Sequence, residues 1–256
     1  MGAIAIASPQ ICKHLTALSR APQLRIDMQN IEQNAFPVVP WTRRDVWFGI
    51  GGLALWIILS AAIGFVGILL GLKLDLGVYI SLGEALLLIP PWLLAVRKYH
   101  IGWGSLGLRP FNTVILGYAL AILIVFYAFN GAYNLLLQYV FHVTSQANLI
   151  QTLNSVNWTG WLWIGGVGVA PFVEEIFFRG FVFGGLRQSM GWKKAAVISG
   201  ILFAAVHLDL AAVLPIFILG VAFAYIYNRC HSIWPTILMH MTINAIGLSA
   251  LFFLTR

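Results

Sequence analysis

The stretch Pro171-Phe-Val-Glu-Glu-Ile-Phe-Phe-Arg-Gly180 places three charged side chains in a run that is otherwise apolar from residue 161 to residue 186. An ionisable side chain inside a lipid bilayer is energetically expensive, so such residues are candidates for a functional site. In a helix, Glu175 and Arg179 lie four residues apart on one face and can pair. Glu174 is rotated by about 100° from Glu175, so another part of the chain must supply its partner.

The composition of the chain is that of a membrane protein. Of its 256 residues, 60% are hydrophobic and 9% are charged, and the mean hydropathy is +0.88, values too apolar for a soluble domain. The formal net charge of +7 comes from basic residues scattered between apolar runs, which favours membrane anchoring over nucleic-acid binding. Two cysteines, Cys12 and Cys230, imply neither a disulfide nor a cysteine-ligated metal framework. We therefore predict an all-α, polytopic helical membrane protein.

Apolar runs divide the chain into about seven predicted transmembrane segments. The second contains Glu84 and the pair Pro90-Pro91, so we expect it to be kinked. The fifth has only about 14 residues, which is short for a crossing, so the fifth and sixth segments form either two thin spans or a re-entrant hairpin that turns at residues 207–209. The predicted segments are residues 46–72, 78–96, 113–140, 158–186, 195–208, 210–227 and 233–254.

The distribution of Lys and Arg predicts the topology. Basic residues precede the first segment and follow the second, the fourth and the sixth, whereas residues 141–158 contain none. Because basic loops stay in the cytoplasm, we expect a cytoplasmic N-terminus and an external C-terminus. Residues 1–40 are predicted to form a cytoplasmic tail and residues 41–256 a single intramembrane domain. The expected location is a bacterial plasma membrane, with a thylakoid or plastid membrane as the alternative.

Two later segments carry polar pairs with the same helical spacing as Glu175 and Arg179. Phe203 and His207 are four residues apart in the fifth segment, and His240 and Asn244 are four apart in the last. Counted from the cytoplasmic ends at 1.5 Å per residue, the polar members of these pairs reach depths similar to that of Glu174. We expect these side chains to converge on a small water-filled cavity.

Such a cavity would suit the hydrolysis of a peptide bond. A poorly solvated carboxylate beside a histidine can remove a proton from water, a role that suits Glu174 with His207. A second histidine and an amide can donate hydrogen bonds to a developing oxyanion, a role that suits His240 with Asn244.

These motifs together resemble those of the CAAX protease and bacteriocin-processing family, also called the Abi family, of intramembrane proteases. The resemblance extends from about residue 41 to the end of the chain. It rests on three motifs and on two shorter similarities, which are Glu174-Glu175-x-x-x-Arg179, Phe203-x-x-x-His207, His240-x-x-x-Asn244, Trp41 to Asp45, and Leu106-Gly-Leu-Arg109.

The resemblance implies an endopeptidase of the type II CAAX prenyl kind that acts on a membrane-associated or prenylated protein or peptide. It implies that Glu174 and His207 activate water. It also implies that His240 and Asn244 hold the oxyanion. Other members of the family take part in bacteriocin maturation or self-immunity, or serve as membrane scaffolds. The remaining motif residues would orient the site: Glu175, Arg179 and Phe203.

Two alternatives concern the site itself. The fourth segment could end at Val173, which would leave Glu174 and Glu175 at the lipid headgroups. A zinc ion could be bound by two histidines and a carboxylate, the set Glu174, His207 and His240. We favour a site without a metal or other cofactor because the sequence has no HExxH motif and because Asn is a poor zinc ligand.

A third alternative concerns the function. A scaffold, assembly factor or self-immunity protein of the same fold would need these polar residues only as bonds between helices. Substitution of Glu174 by Gln separates the two functions, since the amide keeps the shape of the side chain but removes the base. A transporter is less favoured, because the sequence shows no repeated halves and no paired broken helices.

Overall fold

The computed structural model describes residues 36–72, 76–142 and 160–254, and every regular element in these ranges is helical. The described residues from Val38 onward form one compact unit. Most of the predicted tail, residues 1–40, lies outside the described residues, as does most of the loop 141–158. The main helices in these ranges are α1 (Arg43–Leu69), α2 (Leu76–Leu86), α3 (Ile115–Leu136), α4 (Gly160–Met190), α5 (Trp192–Val206), α6 (Val213–Cys230) and α7 (Trp234–Leu254).

The described helices confirm the predicted class of all-α, polytopic membrane protein. Six helical stretches in the described part of the chain are long and apolar enough to cross a membrane, and they correspond to every helix named above except α5. Helix α5 has 15 residues, which at 1.5 Å per residue span about 22 Å, less than the hydrocarbon thickness of about 30 Å. The fifth predicted segment is therefore a short helix, as its sequence indicated.

Helix α1 begins at a capping box. The Thr42 hydroxyl accepts a hydrogen bond from the Asp45 N–H, and the Asp45 carboxylate accepts one from the Thr42 N–H. The same carboxylate binds Lys98 Nζ at 2.5 Å and the Tyr99 hydroxyl at 2.7 Å. These bonds connect the start of α1 to the segment that follows α2.

Helix α2 is interrupted just before its proline pair. It ends at Leu86, and a short helical turn, Ile89–Pro91, leads into π-helical turns at Trp92–Arg97. Proline lacks the N–H group that would continue the α-helix and disfavours helical geometry in the residue before it. The predicted distortion of the second segment is therefore seen as a break in the hydrogen-bond ladder.

Helices α5 and α6 form a tightly packed hairpin. A Cβ atom added to Gly220 would lie 2.9 Å from the Cα atom of Gly200, so the two backbones touch. The connecting turn has Leu208 in the left-handed region, at φ +52°. Asp209 Oδ1 accepts hydrogen bonds from the N–H groups of the two residues that precede α6. The turn lies where the sequence predicted it.

Helix α4 is continuous but not regular, since α-helical and π-helical segments alternate along it. The segments in order are Gly160–Leu162 (α), Trp163–Val169 (π), Ala170–Glu174 (α), Glu175–Phe183 (π) and Gly184–Met190 (α).

Neighbouring elements bind backbone carbonyls of the second π-helical segment. Trp41 Nε1 donates to the Phe181 carbonyl at 3.0 Å, and the Ser199 hydroxyl donates to the Phe178 carbonyl at 3.0 Å. Both donors are buried. These bonds come from outside α4, so the irregular segment depends on its tertiary contacts.

The loop between α2 and α3 packs closely against α4 and the start of α7. Gly107 is in the left-handed region at φ +90°, and its carbonyl accepts a hydrogen bond from the Ile233 N–H at 3.0 Å. A Cβ atom on Gly180 would lie 2.5 Å from the Leu106 carbonyl oxygen, so only glycine allows this approach. The stretch 106–109, which resembles a family feature, thus fixes the irregular part of α4 from one side.

Candidate functional site

The site begins with a buried ion pair within α4. Arg179 Nη1 lies 2.9 Å from Glu175 Oε1, and neither side chain is exposed. The Arg179 guanidinium also stacks over the Phe203 and Phe223 rings at 4.1 and 4.9 Å, and donates to the Gly220 carbonyl at 3.4 Å. The four-residue spacing predicted the pair. The aromatic rings and the carbonyl that surround it come from α5 and α6.

The His240 ring of α7 lies beside both glutamates and is within hydrogen-bond distance of Glu175. Its Nδ1 atom lies 3.3 Å from Glu175 Oε1, and its Nε2 atom lies 3.9 Å from Glu174 Oε2. Because Glu175 pairs with Arg179, its carboxylate is an acceptor, and Nδ1 of His240 therefore carries the proton. The sequence matched Glu174 with His207 and His240 with Asn244. The structure also places the His240 ring beside both carboxylates.

His207 lies at the C-terminus of α5, and its ring is fixed by its own helix. Nδ1 lies 2.7 Å from the Phe203 carbonyl oxygen. A carbonyl can only accept, so Nδ1 donates and the Nε2 atom of the neutral ring keeps its lone pair. This tautomer lets His207 accept a hydrogen bond from water.

Phe203 packs at the centre of the site. Its ring makes edge contacts with the rings of His207 at 4.9 Å and His240 at 5.6 Å, while Arg179 lies over its face. A single aromatic side chain thus touches both histidines and the cation. This arrangement gives a physical reason for Phe203 at this position, since the ring sets the spacing of the polar groups around it.

His207 lines three cavities, one of which, of about 430 Å³, is also lined by Gly166 and Asn244. A cavity of about 320 Å³, which we call the glutamate cavity, is lined by Glu174, His207 and Glu84 among apolar residues of α1 and α2. A second cavity of about 460 Å³, the amide cavity, is lined by His207, His240 and Asn244 together with residues of α3 and α6. The four residues predicted to be catalytic are therefore divided between the glutamate cavity and the amide cavity, and His207 lines both.

The side-chain amide of Asn244 makes a hydrogen bond to the backbone of another helix. Its Nδ2 atom donates to the Gly166 carbonyl of α4 at 2.7 Å, and its side chain is partly buried. Gly166 belongs to the first π-helical segment of α4, upstream of the glutamates. The bond joins α7 directly to the helix that carries Glu174.

Glu84, which was not among the predicted site residues, lies in the wall of the glutamate cavity. Its side chain lines this cavity together with Glu174. An ionisable residue within an apolar segment is a functional candidate by itself, so a signal was present. Its position beside Glu174 required the packing of α2 against α4.

The helix end that the headgroup alternative placed at Val173 is not present in α4. Helix α4 continues beyond Val173 to Met190, and Glu175 is completely buried while the Glu174 side chain is 12% exposed. The acids are enclosed by other helices rather than arranged along an exposed helix.

Among the described residues, no group of three His, Cys, Asp or Glu side chains is placed to hold a metal ion.

Comparison with known proteins connects this site to a family. The family described as type II CAAX prenyl endopeptidase Rce1-like matches residues 156–246. No solved structure matches the chain at a significant level.

Two bacterial relatives are similar to parts of the chain. The "Putative membrane peptidase YdiL" of Bacillus subtilis (strain 168) is 38% identical over 76 residues, which cover 30% of this chain and 31% of the relative. The "UPF0177 protein YxdF" of Lactococcus lactis subsp. lactis (strain IL1403) is 29% identical over 115 residues, which cover 44% of this chain and 63% of the relative. The aligned parts therefore span less than two thirds of either relative.

The segment matched by the family contains every residue of the predicted site, from Glu174 to Asn244. The resemblance to the CAAX protease family is therefore confirmed for residues 156–246.

Proposed function

We propose that the protein is an intramembrane endopeptidase that hydrolyses a peptide bond of a membrane-associated protein or peptide by activated water. The observation that carries this proposal is the division of the site. Glu174 and His207 line one cavity, while His207, His240 and Asn244 line the adjoining one. A base for water on one side and donors for a carbonyl oxygen on the other, close together, are the parts that hydrolysis needs.

In the proposed reaction, water occupies the glutamate cavity between Glu174 and the lone pair of His207 Nε2. Glu174 takes one proton from this water. At the same time the oxygen of the water bonds to the carbonyl carbon of the substrate, which gives a tetrahedral intermediate. The C–N bond then breaks, and the leaving nitrogen takes the proton that Glu174 holds. Glu174 Oε2 is buried without a hydrogen-bond partner among the described residues, and the side chain lines the cavity in which we propose the water.

The developing oxyanion would be stabilised from the amide cavity. The Asn244 amide has two N–H groups, and the bond to Gly166 uses one of them. His240 donates through Nδ1 to Glu175, so its Nε2 atom carries a proton only when the ring is an imidazolium. Asn244 is therefore the neutral donor of the pair, and His240 adds positive charge when it is protonated.

Glu175, Arg179 and Phe203 would orient the site. The Glu175 carboxylate holds the His240 ring through Nδ1, and Arg179 holds the carboxylate. Phe203 separates the two histidines. None of these three needs to contact the substrate in the proposed reaction.

We propose that the substrate is a protein or peptide that reaches the site from the membrane, and that it can carry a prenyl group. We propose a bacterial plasma membrane, with the N-terminus in the cytoplasm, as the location. Both relatives are bacterial proteins, and the basic residues of the sequence favour this orientation.

The proposed reaction uses no metal ion. Incubation with a chelator such as EDTA should therefore leave cleavage in isolated membranes unchanged. Loss of cleavage in EDTA that is restored by added Zn²⁺ would show that a metal takes part, with Glu174, His207 and His240 as the first ligands to test.

A second candidate function is that of a membrane scaffold, and one observation favours it. Several polar groups of the site already bind one another or the backbone, since Glu175 pairs with Arg179 and Asn244 binds Gly166. In a scaffold these bonds would serve only to hold helices together. Glu174 separates the two functions, because its Oε2 atom makes no hydrogen bond among the described residues and a scaffold does not need such a carboxylate.

The test compares new protein termini in membranes of cells that produce the wild type or Glu174→Gln at equal levels. We expect termini that form with the wild type and fall by about 10²–10⁴-fold in the variant, the usual contribution of a general base. The thermal stability of the purified variant should match the wild type, which separates lost chemistry from lost fold. Identical termini in both membranes, with the biological role retained by the variant, would favour the scaffold.

A further inference from the structure

We propose that Asn244 is a positioning residue as well as an oxyanion donor. It donates a hydrogen bond to the Gly166 carbonyl, which Pro171 leaves without a backbone donor. The positioning role stands on the fold alone. The statement that it serves the oxyanion rests on the proposed function.

The register of the first π-helical segment identifies which carbonyl is free. Its hydrogen bonds run from residue i+5 to residue i, as the bond from the Ala170 N–H to the Gly165 carbonyl shows. The next bond in this register would run from residue 171 to the Gly166 carbonyl. Residue 171 is proline and has no N–H group. The sequence alone, read as an α-helix, would place the free carbonyl at Val167 instead.

Asn244 supplies the missing donor. Its Nδ2 atom lies 2.7 Å from the Gly166 carbonyl oxygen, a distance typical of a good N–H···O bond. Within a membrane, few waters compete for such a carbonyl, so an unsatisfied one is costly. Pro171 and Asn244 thus form a matched pair across α4 and α7, although they are 73 positions apart in the sequence.

The same bond orients the amide toward the substrate. One N–H group donates to Gly166, which restricts the rotation of the amide and leaves the second N–H group available for another acceptor. Asn244 also lines the amide cavity, where the proposed oxyanion forms. Pro171 therefore acts indirectly on the orientation of the Asn244 amide, because it leaves the Gly166 carbonyl available as the hydrogen-bond acceptor of that amide.

The test is a cycle of Asn244→Ala and Pro171→Ala in the purified protein, with the unfolding temperature as the first measurement. Asn244→Ala alone should lower the unfolding temperature by about 5 °C, because it leaves the Gly166 carbonyl unsatisfied. In the Pro171→Ala background the same change should cost much less. A backbone N–H then reaches Gly166, from residue 171 in the π register or from Ala170 in the α register.

Thr242→Ala is the matched control. Thr242 lies on the same helix, and its hydroxyl binds the Leu238 carbonyl of that helix. Its effect on the unfolding temperature should add to that of Pro171→Ala without coupling. If Asn244→Ala also adds without coupling, the positioning role is wrong.

The second measurement is the formation of the termini that depend on Glu174. Pro171→Ala with Asn244 intact should slow cleavage without lowering the unfolding temperature, because the amide loses its fixed direction. Cleavage at the wild-type rate in this variant would overturn the claim that Gly166 orients the amide.

The double variant separates this inference from the proposed function. We expect it to regain stability but to cleave about 10²–10³-fold more slowly than the wild type, because the oxyanion donor is absent. Recovery of both stability and cleavage would support the pairing of Asn244 with Pro171 and overturn the role of Asn244 as a donor.

Discussion

Helices α1 and α4 are both long enough to cross a membrane, yet they are built in opposite ways. Helix α1 is a regular α-helix of 27 residues with a mean hydropathy of 2.4 in its most apolar stretch, of which 11% is buried. Helix α4 has 31 residues, a mean hydropathy of 1.3 in the corresponding stretch and 44% burial. It alternates between α-helical and π-helical segments.

The difference shows what the site requires of its helix. An apolar side chain can contact lipid in any orientation, so α1 needs no change in its helical register. It keeps the regular backbone hydrogen bonds that a membrane favours. The polar side chains of α4 must contact partners on other helices at fixed positions. The π-helical segments occur in the helix that makes these contacts. The carbonyls that these segments expose are bound by side chains such as Trp41, Ser199 and Asn244.

The largest expected effect is at the ion pair of α4. Arg179→Met should lower the free energy of unfolding by about 3–5 kcal/mol, because it leaves the buried Glu175 carboxylate without its cation. Chemical unfolding of the detergent-solubilised protein measures the change. Ile58→Met is the control, because the Ile58 side chain is exposed on α1, and it should change the free energy of unfolding little.

The double variant Glu175→Gln/Arg179→Met sharpens this result. Removal of both charges should restore part of the lost stability, since no buried charge then lacks a partner. If Arg179→Met is as well tolerated as Ile58→Met, the contrast between the two helices does not extend to their energetics.

A smaller effect is expected when glycines of the two helices are compared. Gly180→Ala on α4 should cost about 1–3 kcal/mol, because the new Cβ atom would lie 2.5 Å from the Leu106 carbonyl oxygen. Gly51→Ala on α1 meets no atom within 4 Å and should gain about 0.5–1 kcal/mol from reduced backbone freedom. Opposite signs in paired unfolding measurements would support the comparison, and equal signs would contradict it.

The smallest effect concerns the polar start of α1. The hydrogen bond to Asp45 raises the pKa of Lys98, and it raises the pKa of Tyr99 as well. Each contribution to stability is therefore complete below the unfolded-state pKa and is lost as the pH rises through the higher folded-state pKa. Stability should fall slightly at alkaline pH.

Thermal unfolding across neutral and alkaline pH measures this decline. Lys98→Met combined with Tyr99→Phe should flatten it, because neither replaced side chain can lose a proton there. An unchanged alkaline decline in the double variant would show that other groups are responsible.

The class of fold followed from the sequence alone, and so did the prediction of which residues form the site. Apolar runs of membrane length predict helices whatever they pack against, because an isolated backbone in lipid must satisfy its own hydrogen bonds. The spacing of Glu175 and Arg179 is local to one helix, so their pairing was also predictable. The short fifth segment and its turn at residues 207–209 were visible in the length of the apolar run.

The pairing of residues between helices was decided only by the tertiary structure. His240 binds Glu175 and lies 3.9 Å from Glu174, and Asn244 binds Gly166. Such choices depend on the rotation of each helix and on its hydrogen-bond register, which change which group faces which neighbour. A π-helical register moves the carbonyl freed by Pro171 from Val167 to Gly166, and hydropathy and spacing contain no information about that shift.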